Sequence, residues 1–129
     1  MRVLLDTCAL LWLVGAPDRL SPAAQRAVTG SEVRLCISAI SAFEVAVKHG
    51  KGKLSLPFPP REWVRRTLAD YAIEELPVTA EIAAMAPEVA VSHADPCDRM
   101  IIATAMLHQL PVVTSDRLIA GCADIAVIW

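Results

Sequence analysis

Two short apolar runs in this sequence each stop at polar residues, and they constrain the fold more than any other feature. The first is Val3-Leu4-Leu5, which Asp6 and Thr7 follow directly. The other lies in residues 111–116 and closes on Thr114-Ser115-Asp116. An apolar run this short, bounded by a polar turn, is typical of a strand that is buried on both of its faces.

Segments with helical signals alternate with such runs along the chain. We predict strands over residues 3–5, 33–37, 73–76, 111–116 and 125–128, and helices over residues 8–14, 22–29, 39–49, 61–71, 79–91 and 96–109, with a helical turn at 117–120. This alternation predicts the α/β class: a single domain over residues 1–129, with a mainly parallel twisted sheet of four or five strands and helices on both faces. Sites in such sheets form at the carboxyl ends of the strands, where the strand order reverses.

Composition and charge narrow the functional classes. Apolar residues make up 55% of the 129 residues, enough to cover both faces of a sheet and to leave apolar surface for a partner or a second copy. The net charge of −2 gives no overall basic field, so nucleic acid could be bound only through a local patch. Asp6 interrupts the apolar N-terminus, and no apolar run reaches membrane-spanning length. The four cysteines form no C-x-x-C pair, as expected of reduced thiols in a cytoplasmic protein.

The segment from His93 to Ala105 carries a strong helix start. Asp95 precedes Pro96, so we predict that Asp95 is the N-cap of the helix and that Asp98 is its third residue. Acids at these positions stabilise a helix through its dipole and need no further role. They gain a functional meaning only if other acids of the chain reach the same place.

Three other acids are expected to do so. Asp6 and Asp116 end predicted strands, and Glu44 follows Ser38, which can start a helix after the second long strand. Each has an ordinary alternative: Asp6 as a helix cap, Glu44 in a capping box with Ser41, and Asp116 as a turn residue. Four clustered carboxylates would repel one another unless a cation offset their charge. An all-oxygen ligand set favours Mg²⁺ or Mn²⁺, whose chemistry suits phosphodiester hydrolysis by an activated water.

At these residues the chain resembles the PIN-domain ribonucleases, and specifically the VapC-like toxins of prokaryotic toxin–antitoxin pairs. The matching pieces are Leu4-Leu-Asp6-Thr7, residues 38–48 around Glu44, His93-Ala-Asp-Pro-Cys-Asp98-Arg99 and Val113-Thr-Ser-Asp116. The resemblance implies a Mg²⁺-dependent endoribonuclease with Asp6, Glu44, Asp98 and Asp116 as catalytic metal ligands, Asp6 and Asp98 being the firmest. It implies that Asp95 is a cap or outer-shell residue, and that Cys97 replaces a more usual phenylalanine. It also implies an RNA substrate, a homodimer and a cognate VapB-like antitoxin.

Several neighbouring residues have two open interpretations. Thr7, Ser38, Thr114 and Ser115 are either helix caps or groups that hold the acids and metal-bound water in place, and Thr7 in particular can cap the first helix. Lys48, Lys51 and Lys53 form the best basic patch. They either contact the RNA backbone or lie in solvent where the chain leaves a helix. Arg99 could offset the acids or bind RNA phosphate. His93 could bond Asp95 or approach a phosphate, and Phe43 is expected to be a core or interface anchor rather than a platform for base stacking.

Two rival functions remain open at this point. One is a metal-dependent phosphatase-like hydrolase with Asp6 as nucleophile, although Cys8 stands where a second acid would be expected two residues later. The other is a non-catalytic α/β interaction module, in which every acid is a cap and the apolar surface binds a partner.

Overall fold

A computed structural model describes residues 1–92 and 95–129 of the chain. Its centre is a five-stranded sheet in which every neighbouring pair of strands is parallel. The strands are β1 Arg2–Leu5, β2 Arg34–Ser38, β3 Glu74–Leu76, β4 Val112–Val113 and β5 Val127–Ile128. Their order across the sheet is β3-β2-β1-β4-β5. The predicted α/β class and parallel sheet are therefore confirmed.

Seven α-helices occur within the described ranges. They are α1 Thr7–Gly15, α2 Pro22–Thr29, α3 Ala39–Gly50, α4 Pro60–Asp70, α5 Ala80–Met85, α6 Pro96–His108 and α7 Arg117–Ala120. Two of these helices begin at the predicted cap-then-proline signals: the Ser21 side chain accepts from the Ala24 amide, and the Asp95 side chain accepts from the Cys97 amide. The proline that follows each cap has no amide hydrogen to leave unpaired.

Apolar side chains on alternate positions of the strands form one core on each face of the sheet. Leu4 of β1 points into a cluster that includes Ile101 and Ile102 of α6. Val3 and Leu5 point into the opposite cluster, which receives Leu10 of α1 and Trp63 of α4 as well as other side chains. Because both faces are covered, the central strands carry no exposed apolar side, as their continuous apolar runs predict.

The order of the strands reverses beside β1. The chain moves from β1 outward through β2 to β3, then returns to place β4 on the other side of β1. In parallel sheets a crevice opens outside the carboxyl ends of the strands at this point. Here those ends are followed by Asp6 and by residues 114–116.

Several element boundaries differ from the sequence predictions, among them that of β4, which covers only Val112–Val113 of the residues 111–116 predicted as a strand. Of the two caps that the sequence offers for α1, Asp6 and Thr7, the structure has Asp6: its backbone is extended, with φ −74° and ψ 174°, and its carboxylate accepts from the Ala9 amide. The helix predicted over 79–91 ends at Met85 and gives way to a 3-10 turn, because Pro87 cannot continue the α-helical hydrogen bonds. The last strand is also shorter than predicted and begins at Val127.

None of the helices in the described ranges combines the length and the apolar character that a membrane crossing needs.

The C-terminus of α6 provides a test of the fold. Gln109 caps this helix in the left-handed region, with φ 54°, and the next amide, that of Leu110, donates to the carbonyl of Ala105. A side chain in this region costs about 1 kcal/mol that glycine avoids. We therefore expect Gln109→Gly to raise the free energy of unfolding by about 0.5–1 kcal/mol in urea denaturation. Gln109→Ala, which keeps the Cβ, should give no such gain; an equal gain would contradict this explanation.

Candidate active site

A pocket of about 340 Å³ lies at the carboxyl ends of β1 and β4. All four predicted metal ligands line it. Its lining residues are Asp6, Thr7, Cys8, Glu44, Lys48, Asp95, Asp98, Ser115 and Asp116. These residues come from four separate segments of the chain, so the fold gathers the carboxylates at the predicted strand-order reversal.

Asp6 is the most enclosed acid of the pocket, with 5% of its surface exposed. Its Oδ1 accepts from the Ala9 amide at 2.7 Å, and its Oδ2 accepts from the Thr114 hydroxyl at 2.5 Å. Burial raises the pKa of Asp6 above its ordinary value; these two hydrogen bonds oppose the shift, and repulsion from Asp98 and Asp116 adds to it. Asp6 is therefore both the cap of α1 and a carboxylate whose charge is costly in the bare protein.

Thr114 connects the ends of the two central strands. While its hydroxyl donates to Asp6, the same oxygen accepts from the Asp116 amide at 3.0 Å. Asp116 then caps α7, with its Oδ1 2.8 Å from the Leu118 amide. Asp116 therefore has the predicted turn role and also lines the pocket.

Glu44 approaches the pocket from inside α3. Ser38 is the N-cap of this helix, which excludes the capping box that the spacing of Ser41 and Glu44 suggested. The Thr7 hydroxyl instead donates to Oε1 of Glu44 at 2.5 Å and lies 3.0 Å from the Ser41 hydroxyl. Burial raises the pKa of Glu44; the bond from Thr7 and the charge of Lys48 oppose the shift, while Asp98 adds to it.

Asp95 and Asp98 reach the pocket from the first turn of α6, as their spacing predicts. One carboxylate oxygen from each of Glu44, Asp95 and Asp98 can lie within 4.8 Å of the other two. Oxygens this close could hold one divalent cation. Within residues 1–92 and 95–129, Asp6 and Asp116 line the same pocket but belong to no such group. Asp95, which the sequence marked as a cap or an outer-shell residue, thus stands in the tightest group of acids.

The charge of Asp98 acts both on Asp6 and on Glu44, which lie on different sides of the pocket. Its charge raises the pKa of Asp6 on one side and of Glu44 on the other, after the larger effect of burial on each. A cation near Asp98 would therefore relieve repulsion toward both sides.

The remaining predicted residues divide into those at the pocket and those away from it. Lys48 and the exposed Ser115 line the pocket, whereas the fully buried Ser38 caps α3. Lys51 lies on an adjoining groove rather than in the pocket. The Arg99 guanidinium donates to backbone carbonyls that follow α5, among them that of Val91 at 3.0 Å, and so ties this loop to α6.

Two residues at the site were missed from the sequence, and one prediction falls outside the described ranges. Cys8 lines the pocket, and buried Ser41 supports Thr7. The available signal is the spacing of Ser41 to Glu44, which also fits a capping box; the alternative that Ser38 starts the helix is the one that the structure confirms. The contact predicted between His93 and Asp95 or a phosphate lies outside the described residues.

The cysteine beside the acids is a poor nucleophile. Burial raises the pKa of the Cys97 thiol to about 11, and the charges of Glu44, Asp95 and Asp98 contribute to this shift. A thiol with this pKa is protonated at neutral pH and unreactive. Burial likewise raises the pKa of the Cys8 thiol, which lines the pocket itself. The pocket therefore offers carboxylate oxygens and Lys48 rather than a reactive thiol.

A parallel α/β sheet with a carboxylate pocket at its strand-order reversal defines a class of protein with a candidate site for divalent cations. The chain belongs to the PIN-domain family, whose family model matches residues 3–123. It is also 36% identical, over 116 residues, to Ribonuclease VapC22 of Mycobacterium tuberculosis, an alignment that covers 89% of this chain and 87% of that protein.

Solved structures share the fold over nearly the whole chain. FitAcB from Neisseria gonorrhoeae superposes with a TM-score of 0.63 at 26% identity, covering 98% of this chain and 96% of that one. VapBC2 from Rickettsia felis, bound to a DNA fragment from its promoter, superposes with a TM-score of 0.71 at 13% identity, covering 98% and 97%. The second likeness, at its low identity, concerns the fold alone.

The raised pKa values predict how stability depends on pH in the absence of metal ions. As the pH rises past the ordinary carboxyl values, the unfolded chain releases protons that folded Asp6 and Glu44 still hold. The free energy of unfolding should therefore fall as the pH rises through the raised values, and the loss should be complete above them. Asp6→Asn removes one of these charges and keeps an oxygen for the Ala9 amide. We expect it to stabilise the metal-free protein at pH 7 by on the order of 1 kcal/mol.

Chemical denaturation with a chelator present, repeated from pH 4 to 8, measures this effect. Asp18 is exposed and lies outside the pocket, so Asp18→Asn is the matched control. A destabilised Asp6→Asn protein at pH 7 would show that the carboxylate is not a net cost to the fold.

Proposed function

We propose that this protein is a Mg²⁺-dependent endoribonuclease and the toxin member of a toxin–antitoxin pair. We further propose that residues 1–129 form one nuclease domain, with Asp6, Glu44, Asp98 and Asp116 as the catalytic metal ligands and Asp95 beside them. Family membership and the identity to a ribonuclease support the class of activity. The observation that carries the proposal is the convergence of these five carboxylates on one pocket.

The donor set fits a hard divalent cation. Every acid in the pocket offers oxygen, and Glu44, Asp95 and Asp98 can bring oxygens within 4.8 Å of one another. Mg²⁺ prefers such ligands and keeps part of its water shell, and Mn²⁺ can substitute for it. When bound, the cation supplies the acidity that activates a water molecule and the charge that stabilises the leaving oxygen.

The protein's own groups then have distinct roles. Thr114 orients the Asp6 carboxylate, and Thr7 orients that of Glu44, each through a hydrogen bond of 2.5 Å. Holding a carboxylate in one orientation reduces the reorganisation needed when it binds a ligand. Lys48 brings a positive charge to the same pocket, where it can attract the phosphodiester. Lys51 belongs to the predicted RNA contacts. Arg99, also predicted as one, has a structural role instead, because its guanidinium donates to backbone carbonyls that follow α5.

Two rivals fit the geometry less well. A phosphatase with Asp6 as nucleophile would be expected to carry a second acid two residues later, and Cys8 occupies that position. A pure interaction module would have little reason to keep an acid at 5% exposure beside the charges of Asp98 and Asp116. A cation site accounts for this buried charge.

The partners follow from the relatives. Solved structures similar to this chain include a VapBC toxin–antitoxin complex from Mycobacterium tuberculosis and a toxin–antitoxin complex from Klebsiella pneumoniae. These relatives support a VapB-like antitoxin as partner, and the identity to a ribonuclease supports an RNA substrate. A homodimer and a cytoplasmic location are proposed on the family resemblance alone.

Loss of Asp98 should abolish catalysis. Because Asp98 is electrostatically linked to both sides of the pocket, Asp98→Asn should reduce Mg²⁺-dependent cleavage of single-stranded RNA by at least about a hundredfold. Cleavage rates on a labelled RNA pool, with circular dichroism to verify folding, measure the change. Asp95→Asn is the comparison, because asparagine caps a helix nearly as well and the loss should be smaller. Cleavage by Asp98→Asn at the wild-type rate would refute the assignment.

Metal binding separates the nuclease from an interaction module without any RNA. Titration calorimetry of the wild-type protein with Mn²⁺ or Mg²⁺ should show stoichiometric binding, and saturating metal should raise the midpoint of thermal unfolding. Asp98→Asn should weaken both effects strongly, whereas the control Asp18→Asn should leave them unchanged. The absence of saturable binding to the wild-type protein would favour the interaction module.

A further inference from the structure

A second groove adjoins the acidic pocket, and we call it the side groove. It has a volume of about 310 Å³ and is lined by Phe43, Glu44, Val47, Lys48, Lys51, Lys53, Asp95 and Cys97. Glu44, Lys48 and Asp95 line both cavities, so the side groove and the acidic pocket form one continuous surface. A polymer held at the acids can therefore extend into the side groove.

Phe43 is the most exposed aromatic residue of this surface, with 58% of it accessible. The alternative that Phe43 is a core residue is therefore wrong. Phe58 and Trp12, in contrast, have ring contacts: the Arg66 guanidinium lies 4.2 Å from the centre of the Phe58 ring, and Trp12 packs against Trp129. No ring or cation contact of this kind covers Phe43 within residues 1–92 and 95–129. Its ring is available to a ligand.

Helical spacing places an apolar strip of α3 beside a strip of charged residues. Phe43 and Val47 lie four residues apart on α3 and so share one strip of its surface. Glu44 and Lys48, also four apart, form the neighbouring strip and line the acidic pocket. An occupant of the side groove therefore meets an apolar surface next to the charges that border the candidate metal site.

The basic rim of the groove is held by a defined turn. Gly52 has φ +71°, its amide donates to the carbonyl of His49, and the amide of Lys53 donates to the carbonyl of Lys48. This pair of bonds is a Schellman motif, which fixes the backbone of Lys51 and Lys53 after α3. Neither lysine forms an ion pair with another described residue. Their charges remain available to a phosphate.

We propose that the side groove is a nucleobase subsite for single-stranded RNA, with the Phe43 ring stacking on an unpaired base and Lys51 and Lys53 binding the adjacent phosphates. The inference rests on the proposed nuclease function and extends it to a substrate class. Base stacking on an exposed aromatic, beside lysines that follow the backbone, is how proteins hold single strands without strict sequence preference. A paired base cannot offer its face to Phe43, so the subsite selects unpaired RNA.

Charge favours RNA over an apolar protein segment as the occupant. The acids of the pocket repel a phosphate backbone, so a strand reaches them only if neighbouring cations offset that repulsion. Lys48, Lys51 and Lys53 provide such cations along one wall of the groove. A purely apolar segment would leave these charges partly desolvated and without a partner.

The test compares variants of Phe43 in an Asp98→Asn background with chelator, where cleavage does not compete with binding. The probe is a fluorescent, unpaired oligoribonucleotide, and fluorescence polarisation gives its Kd. Phe43→Ala should raise the Kd about tenfold, and Phe43→Trp, which keeps an aromatic face, should hold it within about twofold. Phe43→Leu, which is apolar without a ring, should resemble alanine. Tyr71→Ala is the matched control, because Tyr71 is an exposed aromatic outside both cavities.

Two further measurements identify the contact directly. An oligonucleotide carrying 5-iodouracil should crosslink on irradiation to the peptide that contains Phe43. The dependence of log Kd on log salt should become shallower by about 0.7 for each of Lys51→Gln and Lys53→Gln. Arg65→Gln, an exposed cation of α4 outside both cavities, should leave that slope unchanged.

The outcomes separate this inference from the proposed function. An unchanged Kd in Phe43→Ala would overturn the subsite even if the wild-type protein cleaves RNA. A Phe43→Ala protein that binds RNA normally but loses self-association or antitoxin binding would show that the groove docks protein instead. Crosslinking at Phe43 together with no Mg²⁺-dependent cleavage by the wild-type protein would support the subsite and refute the nuclease.

Discussion

The carboxylate of Asp6 is the group on which the organisation of this protein depends. It follows the central strand, is 5% exposed, and has Asp98 and Asp116 as charged neighbours. Removing a charge from water is costly, and like charges nearby increase the cost. The fold offsets part of it with hydrogen bonds from Thr114 and the Ala9 amide. The raised pKa of Asp6 shows that this compensation is incomplete, and a bound cation would supply the remainder.

The same hydrogen bonds join the fold to the site. Thr114 links the ends of the two central strands, and Thr7 links α1 to Glu44 of α3. Elements that bury the two apolar cores therefore also fix the orientations of the acids. Because packed cores hold their elements rigidly, the site inherits a precision that loops alone would not give. The stability of the core and the geometry of the carboxylates cannot be changed independently.

Local signals in the sequence predicted most elements but could not settle contacts between distant residues. The caps at Ser21 and Asp95 are followed by proline and were predicted correctly, since each depends only on its next few residues. For the N-cap of α1 the sequence leaves two candidates open, because Asp6 and Thr7 are both good caps. The approach of Glu44, 37 residues further along, draws the Thr7 hydroxyl away. The order of the strands likewise rests on crossovers that no local pattern encodes.

At the site, too, the sequence predicts which acids meet but not which of them lie closest together. Strand ends and helix starts predicted which acids would meet, because parallel strands direct their carboxyl ends to one edge of the sheet. Which acids stand closest depends on how α3 and α6 pack, and this packing puts Asp95 rather than Asp6 with Glu44 and Asp98. Phe43 shows the same limit from the apolar side. Residue type favours burial for phenylalanine, but the turn of α3 that aims Glu44 at the acids leaves its neighbour Phe43 in solvent. An exposed ring beside the candidate metal site is thus a geometric consequence of placing that glutamate.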